Sequence, residues 1–196
     1  MATADAAPAS ARAFVGIGSN IHPEKNVPGA LALLKQYPGI HIVGISTFYR
    51  TPALPAPGPP GLSVQADPEY LNGVLELRTV LDADALAAAL EETEAALGRV
   101  RTAERYVSRT MDLDLLLFLS PARLRTSGVS HGETAPPHPE IRTRAFVAVP
   151  LLELAPDLLL PPDGTPLKDI ADAFPGPGGE AETTLTERIR ERFLTE

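Results

Sequence analysis

Residues 111–118, MDLDLLLF, place two aspartates in an otherwise apolar run that is typical of a buried β-strand. Side chains two residues apart on a strand point to the same face, so Asp112 and Asp114 project together, roughly 6–7 Å apart at Cα. The opposite face is predicted to carry apolar side chains, namely Met111, Leu113, Leu115 and Leu117. Two carboxylates this close beside a core are costly unless a cation neutralises them. The strand therefore predicts a metal site.

A basic segment lies immediately before this strand. Residues 99–110 contain four arginines and one glutamate, the arginines being Arg99, Arg101, Arg105 and Arg109. Magnesium prefers carboxylate oxygens and commonly shares its ligands with substrate phosphates. The guanidinium fork of arginine matches phosphate oxygens. Together, the carboxylates and the arginines indicate phosphoryl transfer. The alternative is a solvated basic loop in a chain whose arginine bias reflects a GC-rich genome.

Composition excludes several classes of protein. The net charge of −8 over 196 residues disfavours nucleic acid as the main partner. The chain has no cysteine, so disulfides and cysteine-zinc sites are excluded. Apolar runs are far shorter than a membrane span, and the first 13 residues lack the layout of a signal peptide. We therefore expect a cytoplasmic protein with no membrane partner.

The elements on either side of the aspartate strand define the fold. Periodicity and turn residues predict six elements in the order β-α-β-β-α-β, over residues 13–18, 26–36, 40–50, 70–79, 82–97 and 111–118. This order is the split βαβ, or ferredoxin-like, pattern. We therefore predict an α+β fold, an antiparallel sheet with helices packed on it and extra C-terminal elements. One of these is a helix over 142–154, interrupted by Pro150.

The predicted domain organisation is simple. Residues 1–12 form a disordered lead-in, residues 13–175 a single domain, and residues 176–196 a tail for which a terminal helix over 183–194 is one interpretation. A long loop over 51–67 holds five prolines and two glycines. Loops of this length inside compact domains are unusual and often functional, although we interpret its segment 55–63 as a tolerated insertion.

Seven short motifs occur in an order that resembles one known family. They are FVGIGSN at 14–20, STFYRTP at 46–52, YLN at 70–72, GRVR at 98–101, RTMDLDL at 109–115, Pro137-His138, and RAF at 144–146. The set resembles the 6-hydroxymethyl-7,8-dihydropterin pyrophosphokinases of folate biosynthesis over about residues 14–164. The resemblance implies a ferredoxin-like fold and a monomer. It also implies transfer of pyrophosphate from ATP to the pterin hydroxymethyl group, with release of AMP.

On the phosphate side, the resemblance implies a two-magnesium, in-line mechanism with ATP as co-substrate. Asp112 and Asp114 would hold both metal ions, while Arg99 and Arg101 would fold over the phosphates as catalytic residues. It also implies nucleotide contacts from Arg99, Arg101, Arg109, Leu115, His138 and Arg144. Such a reaction depends mainly on positioning and on charge neutralisation.

On the pterin side, the resemblance implies that Tyr70 and Phe146 stack on the ring and that Asn72 binds its polar edge. Backbone contacts would come from Thr51, Pro52 and Leu54. Each of these residues has an ordinary structural alternative. Tyr70 would be a plain strand aromatic and Phe146 a core residue on an apolar helix face. Asn72 would be a strand-end turn residue, and the phosphate-side His138 an ordinary loop histidine. Glu94 lies at a family position near the active-site loop but is alternatively a solvated helix residue.

Two other functions stay open at this point. One is a different two-metal enzyme on a ferredoxin-like scaffold, such as a nucleotidyl transferase, which would need nothing from Tyr70, Asn72 and Phe146. The other is a non-catalytic nucleotide-binding or regulatory protein. The intact aspartate pair and the arginines Arg99 and Arg101 argue against a loss of catalysis.

Overall fold

The structure is a computed structural model that describes residues 10–53, 68–99, 108–120 and 137–194. Its centre is an antiparallel sheet of the strands β1 (Ala11–Ser19), β2 (Ile40–Ile45), β3 (Tyr49–Thr51), β4 (Tyr70–Thr79), β5 (Asp112–Leu119) and β8 (Glu180–Ala181). The strand order is β5-β1-β4-β3-β8, and β2 pairs with β4 alongside β3. The two longest strands, β1 and β4, are paired in the middle and are largely buried, which fixes the register of the sheet.

Three helices cover one face of the sheet: α1 (Pro23–Gln36), α2 (Ala83–Ala96) and α6 (Thr183–Leu194). Pro23 begins α1, where its missing N–H costs nothing. The Asp82 side chain caps α2 by accepting a hydrogen bond of 2.8 Å from the Ala85 amide. Leu185, Ile189 and Phe193 of α6 lie in the same apolar core as α1 and α2. The terminal helix therefore packs on the sheet.

The opposite face carries a second core under shorter helices. These are α3 (Glu140–Thr143), α4 (Ala145–Leu154) and α5 (Leu167–Asp172), accompanied by a two-stranded ribbon of β6 (Leu159–Leu160) and β7 (Thr165–Pro166). Ile141, Val147 and Leu151 are buried against Phe14 and Val74 of the sheet. Within the described ranges, no helix is long and apolar enough to cross a membrane.

The predicted α+β fold, with an antiparallel sheet and helices packed on it, is confirmed. Two predicted elements are each divided in the structure. The strand over 40–50 becomes β2 and β3, because residues 46–48 interrupt the ladder. Ile45 pairs with Leu75 and Tyr49 with Asn72, so the chain between them holds one residue more than the facing part of β4. The helix over 142–154 breaks at Arg144, whose backbone is extended, and Pro150 lies inside α4 instead of ending it.

The two faces of β5 also differ from the prediction at one residue. Met111 and Leu113 are buried in the core beneath α1 and α2, and Leu115 packs against it, as predicted. Leu117 instead joins Leu116 in the core on the opposite face. The register between β1 and β5 shifts between Phe14 and Val15, so an extra residue enters β5 and reverses the alternation. Placing Leu117 on the face of Met111 was therefore wrong.

Candidate active site

A cavity of about 450 Å³ opens where β1 ends and β4 and β5 begin. Its walls come from β1, from β3 and the residues after it, from β4, from β5 with Arg109 before it, and from the starts of α3 and α4. The lining residues are Gly16, Ile17, Gly18, Thr51, Pro52, Ala53, Tyr70, Asn72, Gly73, Arg109, Asp112, Asp114, Leu116, Glu140, Arg144, Phe146 and Val147. Most of the residues predicted for the site therefore lie around one cavity, although they are distant in sequence.

Two glycines of the central strand form the floor of this cavity. Gly18 pairs with Asn72 of β4 on one side and with Asp112 of β5 on the other, and Gly16 pairs with Asp114. A Cβ at Gly18 would lie 2.5 Å from Asn72 Oδ1, which real contacts do not allow. A side chain at position 18 would therefore displace the Asn72 amide, and the missing side chain of Gly18 leaves the space between Asn72 and Asp112 open.

Asp112 lies at the centre of a network of charges. Its Oδ1 accepts from the Arg99 guanidinium and its Oδ2 from the Arg109 guanidinium. Arg99 also forms an ion pair with Glu94, which is only 2% exposed. The same Glu94 accepts a hydrogen bond of 2.7 Å from the Leu113 amide, so it is tied to the aspartate strand. The alternative in which Glu94 is a solvated helix residue is therefore wrong.

The surroundings of Asp114 disfavour the ionised form of its carboxyl group. Burial, together with the charge of Asp112, raises the pKa of Asp114 to about 6. Glu140 and Glu94 raise the pKa of Asp114 by smaller amounts, whereas His138 lowers it. The two carboxylates thus face one cavity in an environment that disfavours a second negative charge. Such a site favours a divalent cation, which would neutralise the charges of both carboxylates.

The raised pKa of Asp114 predicts that this residue destabilises the metal-free protein. The native carboxyl holds its proton up to about pH 6, whereas the unfolded one releases it near its usual value of 3.8. The free energy of unfolding therefore falls as the pH rises through this window. We expect Asp114→Asn to raise that free energy by about 1–3 kcal/mol at pH 7.5 and to change it little at pH 4.

Denaturant unfolding in EDTA at both pH values measures this effect. Asp157→Asn, which changes an exposed aspartate, is the matched control and should leave both values unchanged. A loss of stability for Asp114→Asn at pH 7.5 would contradict the assigned burial and charge repulsion. Added Mg²⁺ should stabilise the unsubstituted protein more than the variant, because a ligand of the native state adds to its stability.

The other wall of the cavity has a different chemical character. Asn72 donates a hydrogen bond of 2.7 Å from Nδ2 to Thr51 Oγ1, which fixes the amide plane. Tyr70 and Phe146 line the cavity from β4 and from the first turn of α4, and both are partly exposed. Phe146 also touches the core under α4. A flat ring bounded by aromatic faces and by one oriented amide fits this wall.

Arg144 and Glu140 close the cavity beside Asp114. Arg144 Nε lies 3.8 Å from Glu140 Oε1 and, among the described residues, has no hydrogen-bond partner. His138 is held beside β5, because its amide donates to the Leu116 carbonyl at 2.8 Å. A buried guanidinium nitrogen without a partner suits an incoming anion. Arg144 therefore offers the cavity a hydrogen-bond donor for a phosphate oxygen.

Ser19 and Asn20 fix the approach to the aspartate strand. Ser19 Oγ donates to the Thr110 carbonyl at 2.7 Å. Asn20 Oδ1 accepts from the Arg109 amide at 2.7 Å, and the Asn20 amide donates to the Arg109 carbonyl at 3.2 Å. These bonds hold the backbone amide and carbonyl of Arg109, whose guanidinium contacts Asp112.

The predicted site residues thus fall into four groups. Nine of them line the cavity: Thr51, Pro52, Tyr70, Asn72, Arg109, Asp112, Asp114, Arg144 and Phe146. Arg99 and His138 lie next to it through Asp112 and Leu116, while Leu115 packs against the core on the opposite face. Leu54 and Arg101 lie outside the described residues. Glu140 also lines the cavity but was not among the predicted residues, because its proximity in sequence to His138 was the only signal for it.

Comparison with known proteins gives a consistent result. A family model described as 7,8-dihydro-6-hydroxymethylpterin-pyrophosphokinase matches residues 14–156. A Synechocystis protein named 2-amino-4-hydroxy-6-hydroxymethyldihydropteridine pyrophosphokinase is 38% identical over 157 residues, covering 78% of this chain and 70% of that protein. Proteins of the same name from Pseudomonas aeruginosa and Haemophilus influenzae are 38% and 35% identical, covering 86% and 76% of this chain and 95% and 84% of theirs.

Proposed function

The chain belongs to the 7,8-dihydro-6-hydroxymethylpterin-pyrophosphokinase family and is a pyrophosphokinase of folate biosynthesis, and we propose that it uses a two-magnesium, in-line mechanism. In this reaction the hydroxyl of 6-hydroxymethyl-7,8-dihydropterin attacks the β-phosphorus of ATP, and AMP leaves. One observation carries the proposal. The paired carboxylates and the aromatic-amide wall share one cavity, separated only by the bare backbone of Gly18.

Asp112 and Asp114 would hold the magnesium ions. Within the described segments no group of three or more acidic or histidine side chains could hold a metal ion, so the two aspartates would be the main ligands that these segments supply. This fits magnesium, which commonly takes one or two carboxylates and completes its shell with phosphates and water. When bound, magnesium neutralises the triphosphate oxygens and activates the attacking hydroxyl. The raised pKa of Asp114 is consistent with this role, because a cation relieves the repulsion by Asp112.

Arg99 and Arg109 would exchange partners when MgATP binds. In the structure each arginine neutralises one oxygen of Asp112. A cation at Asp112 would displace both guanidinium groups, leaving them to bind phosphate oxygens, for which their fork is well shaped. Arg101, outside the described residues, is proposed to assist Arg99, and Arg144, His138 and Leu115 are proposed to contact the nucleotide. The chain itself thus supplies charge and orientation, and water exclusion strengthens both.

The pterin is proposed to bind against the other wall. Tyr70 and Phe146 would stack on its faces, and Asn72, oriented by Thr51, would bind its polar edge. Pro52 and Leu54 complete the proposed contacts. The proposal also keeps the expected cytoplasmic location, the monomeric state and the absence of nucleic-acid partners, which stay predictions from sequence and resemblance.

The decisive experiment separates products by chromatography after incubation with ATP and Mg²⁺, with and without the pterin. We expect AMP to form only when the pterin is present and no ADP to form. Pyrophosphate release without the pterin would instead favour a nucleotidyl transferase. ATP binding without any AMP formation would favour a regulatory protein.

Replacing Asn72 separates the pyrophosphokinase from other two-metal enzymes. Asn72→Ala removes a polar group that we assign to the pterin edge, and lost hydrogen bonds of this kind cost about 1–3 kcal/mol, or roughly 5- to 150-fold in affinity. We expect the KM for the pterin to rise by that factor and the KM for ATP to stay nearly constant. Steady-state kinetics with each substrate varied in turn measures both values. An unchanged KM for the pterin would remove Asn72 from the binding site.

A further inference from the structure

We name the C-terminal segment 178–190 the C-terminal strap. It is attached to the edge of the sheet beside the cavity wall formed by Tyr70, Asn72 and Phe146, which we call the pterin wall. Its strand β8 pairs with β3, so that Tyr49 lies opposite Ala181 and Arg50 opposite Glu180. The same β3 pairs on its other side with β4, which places Tyr49 opposite Asn72. The strap is therefore separated from Asn72 by only one short strand.

The strap forms hydrogen bonds with both the backbone amide and the backbone carbonyl of Phe48, which lies between β2 and β3. The Phe48 amide donates to Thr186 Oγ1 at 2.9 Å, and the Glu182 amide donates to the Phe48 carbonyl at 2.8 Å. Thr186 is only 1% exposed, so water does not substitute for its hydroxyl. Arg190 Nε adds a hydrogen bond of 2.9 Å to the Ile45 carbonyl. The strap thus fixes the backbone from Ile45 to Phe48.

Phe48 transmits this constraint to the cavity. Its fully buried ring packs on Gly73, where an added Cβ would lie 2.8 Å from Phe48 Cδ1. Gly73 lines the cavity and directly follows Asn72. The next residues of the chain lead through β3 to Thr51, whose hydroxyl orients the Asn72 amide at 2.7 Å. Phe48 is therefore linked to Asn72 both through the core and along the chain.

The fit of the strap against β3 is very close. A Cβ at Gly179 would lie 1.9 Å from the Arg50 carbonyl oxygen, so no side chain fits at that position. The Arg50 guanidinium forms ion pairs with Glu182 of the strap and with Glu24 of α1. At its start the strap also approaches the pterin wall from above, since a Cβ at Gly178 would lie 3.7 Å from Ala145 Cβ, next to Phe146.

We propose that the C-terminal strap is a positioning element of the pterin wall, acting through Phe48 and β3 on Asn72 and Thr51. This inference rests on the proposed function, because it assigns the strap to the pterin-binding half of the cavity. The strap's bonds run to Ile45, Phe48, Tyr49 and Arg50, on the side of the cavity that carries Asn72 and Thr51. Disturbing it should therefore weaken binding of the pterin and leave binding of ATP unaffected.

The test compares two substitutions at one buried position. Thr186→Val keeps the shape of the side chain but removes the acceptor of the Phe48 amide, whereas Thr186→Ser keeps the acceptor. We expect Thr186→Val to raise the KM for the pterin by about 3- to 10-fold, because a buried amide without a partner drives local displacement. The KM for ATP should stay within about 2-fold, and Thr186→Ser should restore pterin binding. Hydrogen exchange of peptides covering 46–53 should be faster in the valine variant alone.

Gly179→Ala provides a second variant, because its Cβ displaces the strap from the Arg50 carbonyl without touching Phe48 directly. It should reproduce the rise in the KM for the pterin. A fall in kcat alone, or an equal rise in both KM values, would indicate general destabilisation and overturn the positioning role. Unchanged kinetics in both variants would overturn this inference alone, provided that the unsubstituted protein forms AMP with the pterin. Failure of the unsubstituted protein to do so would overturn the proposed function and this inference together.

Discussion

Asp112→Ala is expected to reduce pterin-dependent AMP formation by at least ~10³-fold while the protein remains folded. Metal ions in such sites supply several kcal/mol of charge stabilisation, and each 1.36 kcal/mol corresponds to a factor of ten in rate. Asp112 is central because it shares a face with Asp114 and meets both Arg99 and Arg109. Its removal would leave two guanidinium groups at the metal position and repel the cation.

The measurement combines single-turnover kinetics with calorimetric titration of Mg²⁺ in the presence of a non-hydrolysable ATP analogue. Circular dichroism and a thermal melt establish that the variant is folded. Asp157→Ala, at an exposed position outside the cavity, is the matched control and should behave like the unsubstituted protein. Near-normal turnover of Asp112→Ala would overturn the assignment of the metal site.

Arg99→Ala is expected to lower kcat by about 10²- to 10³-fold and to weaken ATP binding by less than about 10-fold. Removal of one electrostatic donor to a transition state has an effect of this size. The unequal effect follows from the structure, because without nucleotide Arg99 is engaged with Asp112 and Glu94 instead of facing a free phosphate site. Its contact with the phosphates would then form late, and a contact made mainly in the transition state changes kcat.

Single-turnover rates and the dissociation constant of ATP, measured on the same preparation, decide this prediction. Arg99→Lys is the informative companion, because lysine keeps the charge but loses the two-pronged fork. We expect it to recover part of the rate. If ATP affinity fell as much as the rate in Arg99→Ala, Arg99 would be a ground-state contact, and the proposed exchange of partners would be incorrect.

Local patterns predicted most of the fold. Alternation in 70–79 and 111–118 and the apolar spacing in 82–97 all correspond to elements of the structure within a few residues. The errors occur where tertiary pairing overrides local pattern. The bulge opposite Phe14 and Val15 moved Leu117 to the other face, and the extra residue between Ile45 and Tyr49 divided one predicted strand into two. A bulge depends on two strands together, so neither sequence shows it alone.

The candidate site divides in the same way. The spacing of Asp112 and Asp114 and the motifs at 70–72 and 144–146 named residues that lie around one cavity. Local sequence did not show that Glu94 is buried and bonded to the Leu113 amide, nor that Glu140 lines the cavity. Both carboxylates come from helices, and their positions depend on how those helices pack on the sheet.

By itself, the sequence determined the β-α-β-β-α-β order of the main elements, the family, and the pairing of two carboxylates on one strand face, because periodicities of two and of 3.6 residues are local properties of the chain. Only the tertiary structure decided what those residues face. Gly18 lies between Asn72 and Asp112, Arg99 bridges Glu94 and Asp112, and Thr186 holds Phe48. Each of these contacts joins segments brought together by burial of a common core, and such long-range packing leaves no periodic signal in the sequence.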